Sequence, residues 1–202
     1  MQNTEKQIER KIRGSKRGKF FFHDNFAIFG TPNAIRQALQ RLQKSGLIMR
    51  VAHGIYYYPK MSTSEYFKGQ YLPPTIEEIA QTIAKRDKIR IVPTGSYALN
   101  ALGLSTQVVM NVVYMTDGAP RRIKVGGGKG ILFKHTSKVK NLAYKSKLLM
   151  LIVSALREIG EGNITPYQLE TIKSHMKNVS QKELKADIEL MPQWVRKILL
   201  SL

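Results

Sequence analysis

The sequence predicts an α+β protein: a small N-terminal module of three helices closed by a β-hairpin, then a mixed α/β C-terminal domain with a mostly antiparallel sheet and helices at its end. Three observations carry that prediction. In the first sixty residues, polar helix starts, apolar residues at helical spacing and glycine stops alternate in order before a β-prone pair. Between residues 89 and 135 the apolar runs are strand-like, one of them, Val108–Thr116, long and β-branched. From residue 147 onward apolar residues recur three and four apart. With 202 residues and 43% hydrophobic content, the chain has material for one small and one larger packed domain. The boundaries read as a module over 1–60, a linker over 61–74 and a C-terminal α+β domain over 75–202.

In the module, Thr4 is placed to cap a helix that runs to Arg13, with Ile8 and Ile12 on one face and Gly14 at the stop. Phe20-Phe21-Phe22 suits a short strand, and Asp24 opens a second helix through Phe26 and Phe29 to Gly30. Thr31 and Pro32 supply the cap and first position of a third helix that reaches Lys44 before Ser45-Gly46. At about 100° per residue, Ile35, Ala38, Leu39 and Leu42 share one face, and Asn33, Arg36, Gln37, Gln40 and Lys44 lie opposite. Leu47 to Val51 and Ile55 to Tyr58 then read as two strands joined by Ala52-His53-Gly54. This order of helices and hairpin is that of a winged helix-turn-helix.

Charge selects the partner class. The chain has 33 Lys and Arg against 14 Asp and Glu, a net charge of +19, and residues 1–60 carry +9 of it. A polyanion is implied, and nucleic acid is favoured over a membrane because no apolar run reaches about 18 residues. Arg pairs with guanine O6 and N7, and Asn or Gln with adenine N6 and N7. No carboxylate lies between Thr31 and Lys44. The residues expected to touch double-stranded DNA are therefore Thr31, Asn33, Arg36, Gln37, Gln40, Arg41 and Lys44 on the third helix, with Arg50, His53 and Tyr56 on or beside the wing. The neighbouring Tyr57 and Tyr58 suit the core of the sheet.

Gly30-Thr31-Pro32-Asn33-Ala34-Ile35-Arg36-Gln37-Ala38-Leu39-Gln40-Arg41-Leu42, followed by Ser45-Gly46-Leu47-Ile48 and Gly54-Ile55-Tyr56-Tyr57, resembles the N-terminal winged helix of AbiEi-type antitoxins. These are regulators of bacterial type IV abortive-infection toxin-antitoxin systems. A second stretch, Pro93 to Gln107, resembles the same family, and the likeness extends loosely to about residue 140. The resemblance implies a transcriptional autoregulator of phage defence that binds its own promoter; inverted repeats are the expected target because winged domains often act on them. It also implies a nucleotidyltransferase-like toxin as counterpart, without a required stable complex. The helical C-terminal end has no match to the family.

After Pro59, the stretch to Pro74 has linker composition, with Tyr66, Phe67 and Tyr71 available to pin it to one domain. Thr75 and Glu78 form a capping-box pair ahead of a helix with Ile76, Ile79, Ala80 and Ile83 inward. Strands are expected at Ile89–Val92, Val108–Thr116, Arg121–Val125 and Ile131–His135, with a turn and short helix over Pro93–Leu104. Gly95-Ser96 lacks the GxxxxGK[ST] pattern of a phosphate loop. Gly126-Gly127-Gly128-Lys129-Gly130 sits between two strands rather than before a helix, so it reads as a hairpin turn.

From Gly118 to Arg157 there are ten Lys and Arg and no acid. A second basic surface is expected from Arg121, Arg122, Lys124, Lys129, Lys134, Lys138 and Lys140, open to further DNA contacts, to RNA or to an acidic protein. Helices are expected over Lys147–Ile159, from Thr165-Pro166 to Asn178, over Ser180–Ala186, and after Met191-Pro192. Trp194 fits either the core or a partner surface.

No cysteine is present, and His23, His53, His135 and His175 show no metal-ligand spacing, so neither metal nor cofactor is expected. The acids Glu77, Glu78, Asp87, Asp117, Glu158, Glu161, Glu170, Glu183, Asp187 and Glu189 lack two-metal or nuclease spacing, so no catalytic residue and no enzyme is predicted. The runner-up readings are an RNA-binding or protein-interaction module built on the basic C-terminal sheet, and a nuclease with a dispersed site. Met1 to Glu5 shows no signal-peptide pattern, which makes the cytoplasm the expected compartment.

Overall fold

The computed structural model describes residues 4–107 and 109–202. The chain has a mixed α+β architecture in which antiparallel strand pairings predominate. It divides into two compact units: Met1–Ile83 with Ile123–Gly128, and Ala84–Arg122 with Lys129–Leu202.

In the first unit, α1 (Thr4–Arg13) buries Ile8 and Ile12. Thr4 is itself helical, and its hydroxyl donates to the Phe29 carbonyl at 2.9 Å rather than capping α1. β1 (Phe20–Phe22) is followed by His23–Phe29, which forms a 3-10 helix beginning one residue before the expected α-helical start at Asp24. Two side-chain hydrogen bonds meet at its first turn. Asn25 Oδ1 accepts from the Phe22 N–H at 2.7 Å, and Lys11 Nζ donates to the Asn25 carbonyl at 2.6 Å.

Next comes α2 (Pro32–Lys44), whose start is set by the Thr31 side chain accepting from the Ala34 N–H and by proline in the first turn. Ile35, Ala38, Leu39 and Leu42 are its buried stripe. β2 (Met49–Ala52) and β3 (Ile55–Tyr57) pair antiparallel, and β3 also pairs with β1, giving the order β1-β3-β2. Leu47 and Ile48, expected in the first hairpin strand, precede it and join Ile8, Ile12, Phe21, Phe26 and the α2 stripe in one core. Tyr56 and Tyr58 belong to that core as well.

The expected linker carries structure of its own. β4 (Lys60–Met61) and β5 (Tyr71–Leu72) form a two-stranded antiparallel ribbon closed through a 3-10 turn at Glu65–Phe67. Tyr66 and Phe67 are exposed, and the Arg17 guanidinium lies 5.8 Å from the Tyr71 ring. The segment lies within the first unit. α3 (Ile76–Asp87) opens with the expected box: the Glu78 N–H donates to Thr75 Oγ1 at 3.1 Å and the Thr75 N–H to Glu78 Oε2 at 2.8 Å. The boundary between the units falls inside this helix.

The second unit is built on β6 (Ile91–Pro93), α4 (Gly95–Ala101), β7 (Asn111–Thr116), the start of β8 (Arg121–Lys124) and β9 (Gly130–His135); Ile123 and Lys124 of β8 are grouped with the first unit, and the sheet order is β6-β7-β9-β8. β6 runs antiparallel to β7, but the β7–β9 pair is parallel, with Tyr114 opposite Phe133. Of the strand expected over Val108–Thr116, Val108 lies outside the described residues and pairing begins only at Asn111. The helices α5 (Lys147–Ile159), α6 (Pro166–Met176), α7 (Gln181–Asp187) and α8 (Gln193–Leu200) complete the unit. Its core joins Ala98 and Leu102 of α4 to Leu149, Ile152, Val153 and Leu156 of α5, and to Ile172, Leu184, Val195 and Leu199. Trp194 packs against that cluster, half-buried.

Two close fits hold this helical cluster. Gly95 passes so near α5 that a Cβ would stand 2.1 Å from Cβ of Glu158. Asp187, fully buried, accepts from the backbone N–H groups of Lys145 and Ser146, which lie just ahead of α5.

Candidate functional site

In the first unit, a cleft of about 530 Å3 opens between α2 and the β2–β3 hairpin, lined by His23, Arg36, Gln40, Gln43, Lys44, Arg50, His53, Gly54 and Tyr56. The α2 residues arise from helical spacing, since positions 36, 40, 43 and 44 share one face away from the buried stripe. The hairpin supplies the facing wall. Its turn is His53-Gly54, and Gly54 takes φ +69°, which the absence of a Cβ makes easy.

Hydrogen bonds orient the charged groups. Arg36 donates from its guanidinium to Asn33 Oδ1 at 2.7 Å, one turn back along α2. Arg50 and His53 meet at 3.1 Å, from a guanidinium nitrogen to Nδ1. A guanidinium only donates, so Nδ1 accepts and the ring proton sits on Nε2. His23 approaches the Pro32 carbonyl with Nε2 at 3.3 Å; a carbonyl only accepts, so this nitrogen donates. The cleft thus gathers two guanidinium groups, an ammonium, two carboxamides and two imidazoles. Among the described residues no carboxylate lines it, and the sequence has none between Asp24 and Glu65. Such a set of donors suits anionic oxygens through charge-assisted hydrogen bonds.

Six of the residues selected from the sequence meet here: Arg36, Gln40, Lys44, Arg50, His53 and Tyr56. Tyr56 is a correction in part, because only 7% of it is exposed and it belongs to the core, so it forms a wall rather than a projecting contact. Gln37 is exposed on α2 but outside the cleft lining, Thr31 is engaged as the helix cap, and Asn33 serves Arg36. Arg41 pairs with Glu5 Oε2 at 3.1 Å and does not line the cleft. Sequence reasoning missed His23, Gln43 and Gly54. Gln43 had a signal, being seven residues after Arg36; His23 did not, because a 3-10 helix brings it to the cleft.

The expected second basic surface is divided by strand alternation. Along β8, Arg122 and Lys124 are exposed while Arg121 and Ile123 turn inward. Arg121 is therefore a correction: it bonds Asp87 and lies 5.4 Å over the Phe133 ring, an internal tie. Burial works to raise the Asp87 carboxyl, but the Arg86 and Arg121 guanidinium groups outweigh it and hold the group below its ordinary value. Arg122 reaches Asn111 Oδ1 at 3.3 Å. Lys129, Lys134, Lys138 and Lys140 are exposed.

Among the described residues, no group of three or more His, Asp or Glu could hold a metal ion, and no helix is long and apolar enough to cross a membrane. The profile of DUF6088, a family of unknown function, matches residues 7–186, and the chain belongs to that family. No curated protein and no solved structure matches the chain with significance.

Proposed function

We propose that the protein is a DNA-binding transcriptional regulator, with residues 1–60 acting as a winged helix-turn-helix. In this reading α1, the 3-10 helix and α2 are the three helices, α2 enters the major groove and the β2–β3 hairpin is the wing. The observation that carries it is the acid-free cleft in which Arg36, Gln40 and Lys44 of α2 face Arg50 and His53 of the hairpin. A reading helix and a wing placed side by side can hold one duplex through base edges and backbone together. Arg36, held by Asn33, has the fork needed for guanine, and Gln40 the amide needed for adenine.

The resemblance to AbiEi-type antitoxins extends the proposal: the protein represses its own operon and counters a nucleotidyltransferase-like toxin in the cytoplasm, without a stable complex being required. The test is fluorescence anisotropy with duplex taken from upstream of its own reading frame. Binding that weakens steeply with salt is expected. Arg36→Ala and Gln40→Ala should each cost about 1–3 kcal/mol on the preferred sequence and less on a scrambled one. No salt-sensitive binding, or unchanged sequence preference in the double variant, overturns the reading. A neighbouring gene for a nucleotidyltransferase is the corresponding expectation for the antitoxin role.

A further inference from the structure

The glycine-rich stretch after β8 has a place in the first unit that its sequence did not announce. β2 is the outer strand of the β1-β3-β2 sheet, and its pairing with β3 slips between Arg50 and Ala52, leaving Val51 without a register partner. The Val51 carbonyl instead accepts the Gly126 N–H at 3.3 Å. Residues 123–128 thus lie beside the strand that carries Arg50.

Internal packing does not explain these glycines. A Cβ built at Gly126 or Gly127 meets no heavy atom within 4 Å. Gly127 and Gly128 take φ of +76° and +75°, so the turn requires them, but Gly126 has no such need. The space beside Gly126 is open to the outside, where a backbone without side chains admits close approach by a phosphate. Lys124, two residues earlier, is exposed and makes no ion pair among the described residues. No acid occurs from Gly118 to Arg157 to neutralise it.

We infer that Lys124 and Gly126–Gly128 form a phosphate-contacting extension of the wing, laid against duplex DNA by the Gly126–Val51 hydrogen bond. This rests on the reading of residues 1–60 as a duplex-binding module. The extension contacts backbone, so it raises affinity without regard to sequence, while Arg36 and Gln40 discriminate.

The test uses the full chain and a fluorescein-labelled duplex of random sequence, titrated between about 50 and 200 mM salt. Lys124→Gln should lower the steepness of log K against log salt by about 0.9, the value for one lost phosphate contact. Gly126→Asp, whose Cβ would meet no atom of the protein within 4 Å, should weaken binding about tenfold by opposing the phosphate charge. Unfolding midpoints equal to that of the unaltered protein establish that both variants are folded. Unchanged slope and affinity in both, with Arg50→Ala still weakening binding, overturn the extension and leave the duplex reading standing. Absence of duplex binding by the unaltered protein overturns the duplex reading, and the extension falls with it.

Discussion

Asp187 offers a direct measurement of what ties α7 to α5. Its two carboxylate oxygens accept the Lys145 N–H at 2.9 and 3.0 Å, and Oδ2 also accepts the Ser146 N–H at 2.8 Å. Ser146 is itself buried and is the residue on which α5 starts. Asp187→Ala leaves the buried Ser146 donor without this partner, at about 1–3 kcal/mol, and removes the partly exposed bond to Lys145, worth about 0.5–1.5 kcal/mol. It also removes a negative charge from a helix N-terminus, worth about 0.3–1 kcal/mol. The expected total is about 2–5 kcal/mol, a large part of the roughly 5–15 kcal/mol that holds a domain folded. Asp187→Asn keeps one acceptor but turns an amide donor toward the other oxygen's partner, so it should cost about 2–3 kcal/mol. Trp194, the sole tryptophan, packs on the same helical cluster, so its fluorescence during urea unfolding reports this unit. A loss below about 1 kcal/mol for Asp187→Ala would show that water replaces the carboxylate and would refute the argument.

Two further outcomes follow from the ion pairs. Hydrogen bonds from the Thr75 backbone hold the Glu78 carboxyl below its ordinary value, as those from the Arg90 backbone and side chain do for Asp117. Because these folded values lie below the unfolded ones, their stabilisation is complete above the unfolded pKa, about 4, and is lost as pH falls through the folded value. The thermal midpoint should therefore drop as the pH falls below about 4, and Glu78→Gln should flatten part of that drop; a midpoint independent of pH there contradicts the assignment. For Arg41, whose side chain is 64% exposed and turned to Glu5, replacement by Gln should change stability by no more than about 1 kcal/mol. The same replacement should weaken duplex binding far less than Arg36→Ala, and equal losses in an anisotropy titration would place Arg41 on the DNA after all.

Legibility followed how local the cause of each feature was. Thr31-Pro32, Thr165-Pro166 and Ser180 mark helix starts because the cap side chain and the amide it bonds are three residues apart, and all three helices begin there. The buried stripe of α2 was readable for the same reason. The 3-10 geometry of His23–Phe29 was not, since it involves Lys11, fourteen residues before Asn25. Nor was the β4–β5 ribbon, whose two-residue strands are too short to show alternation. The parallel β7–β9 pairing joins strands separated by β8, an arrangement that no local pattern encodes.

Charge was the least transparent quantity, because a count of Lys and Arg says nothing of which cations are already committed. Arg121 and Arg122 are neighbours in a run without acids, yet one turns inward to Asp87 and Phe133 and the other outward to Asn111. Arg36 and Arg41 are five apart on one helix, yet the first lines the cleft and the second faces Glu5 of α1. In both cases the deciding acid is more than thirty residues away in sequence. Net charge therefore argues for a polyanionic partner, while the choice of residues to test rests on cations with no carboxylate within reach. Among the described residues Arg36, Lys44 and Arg50 pass that criterion, and so does Lys124, which the count alone had grouped with the internal Arg121.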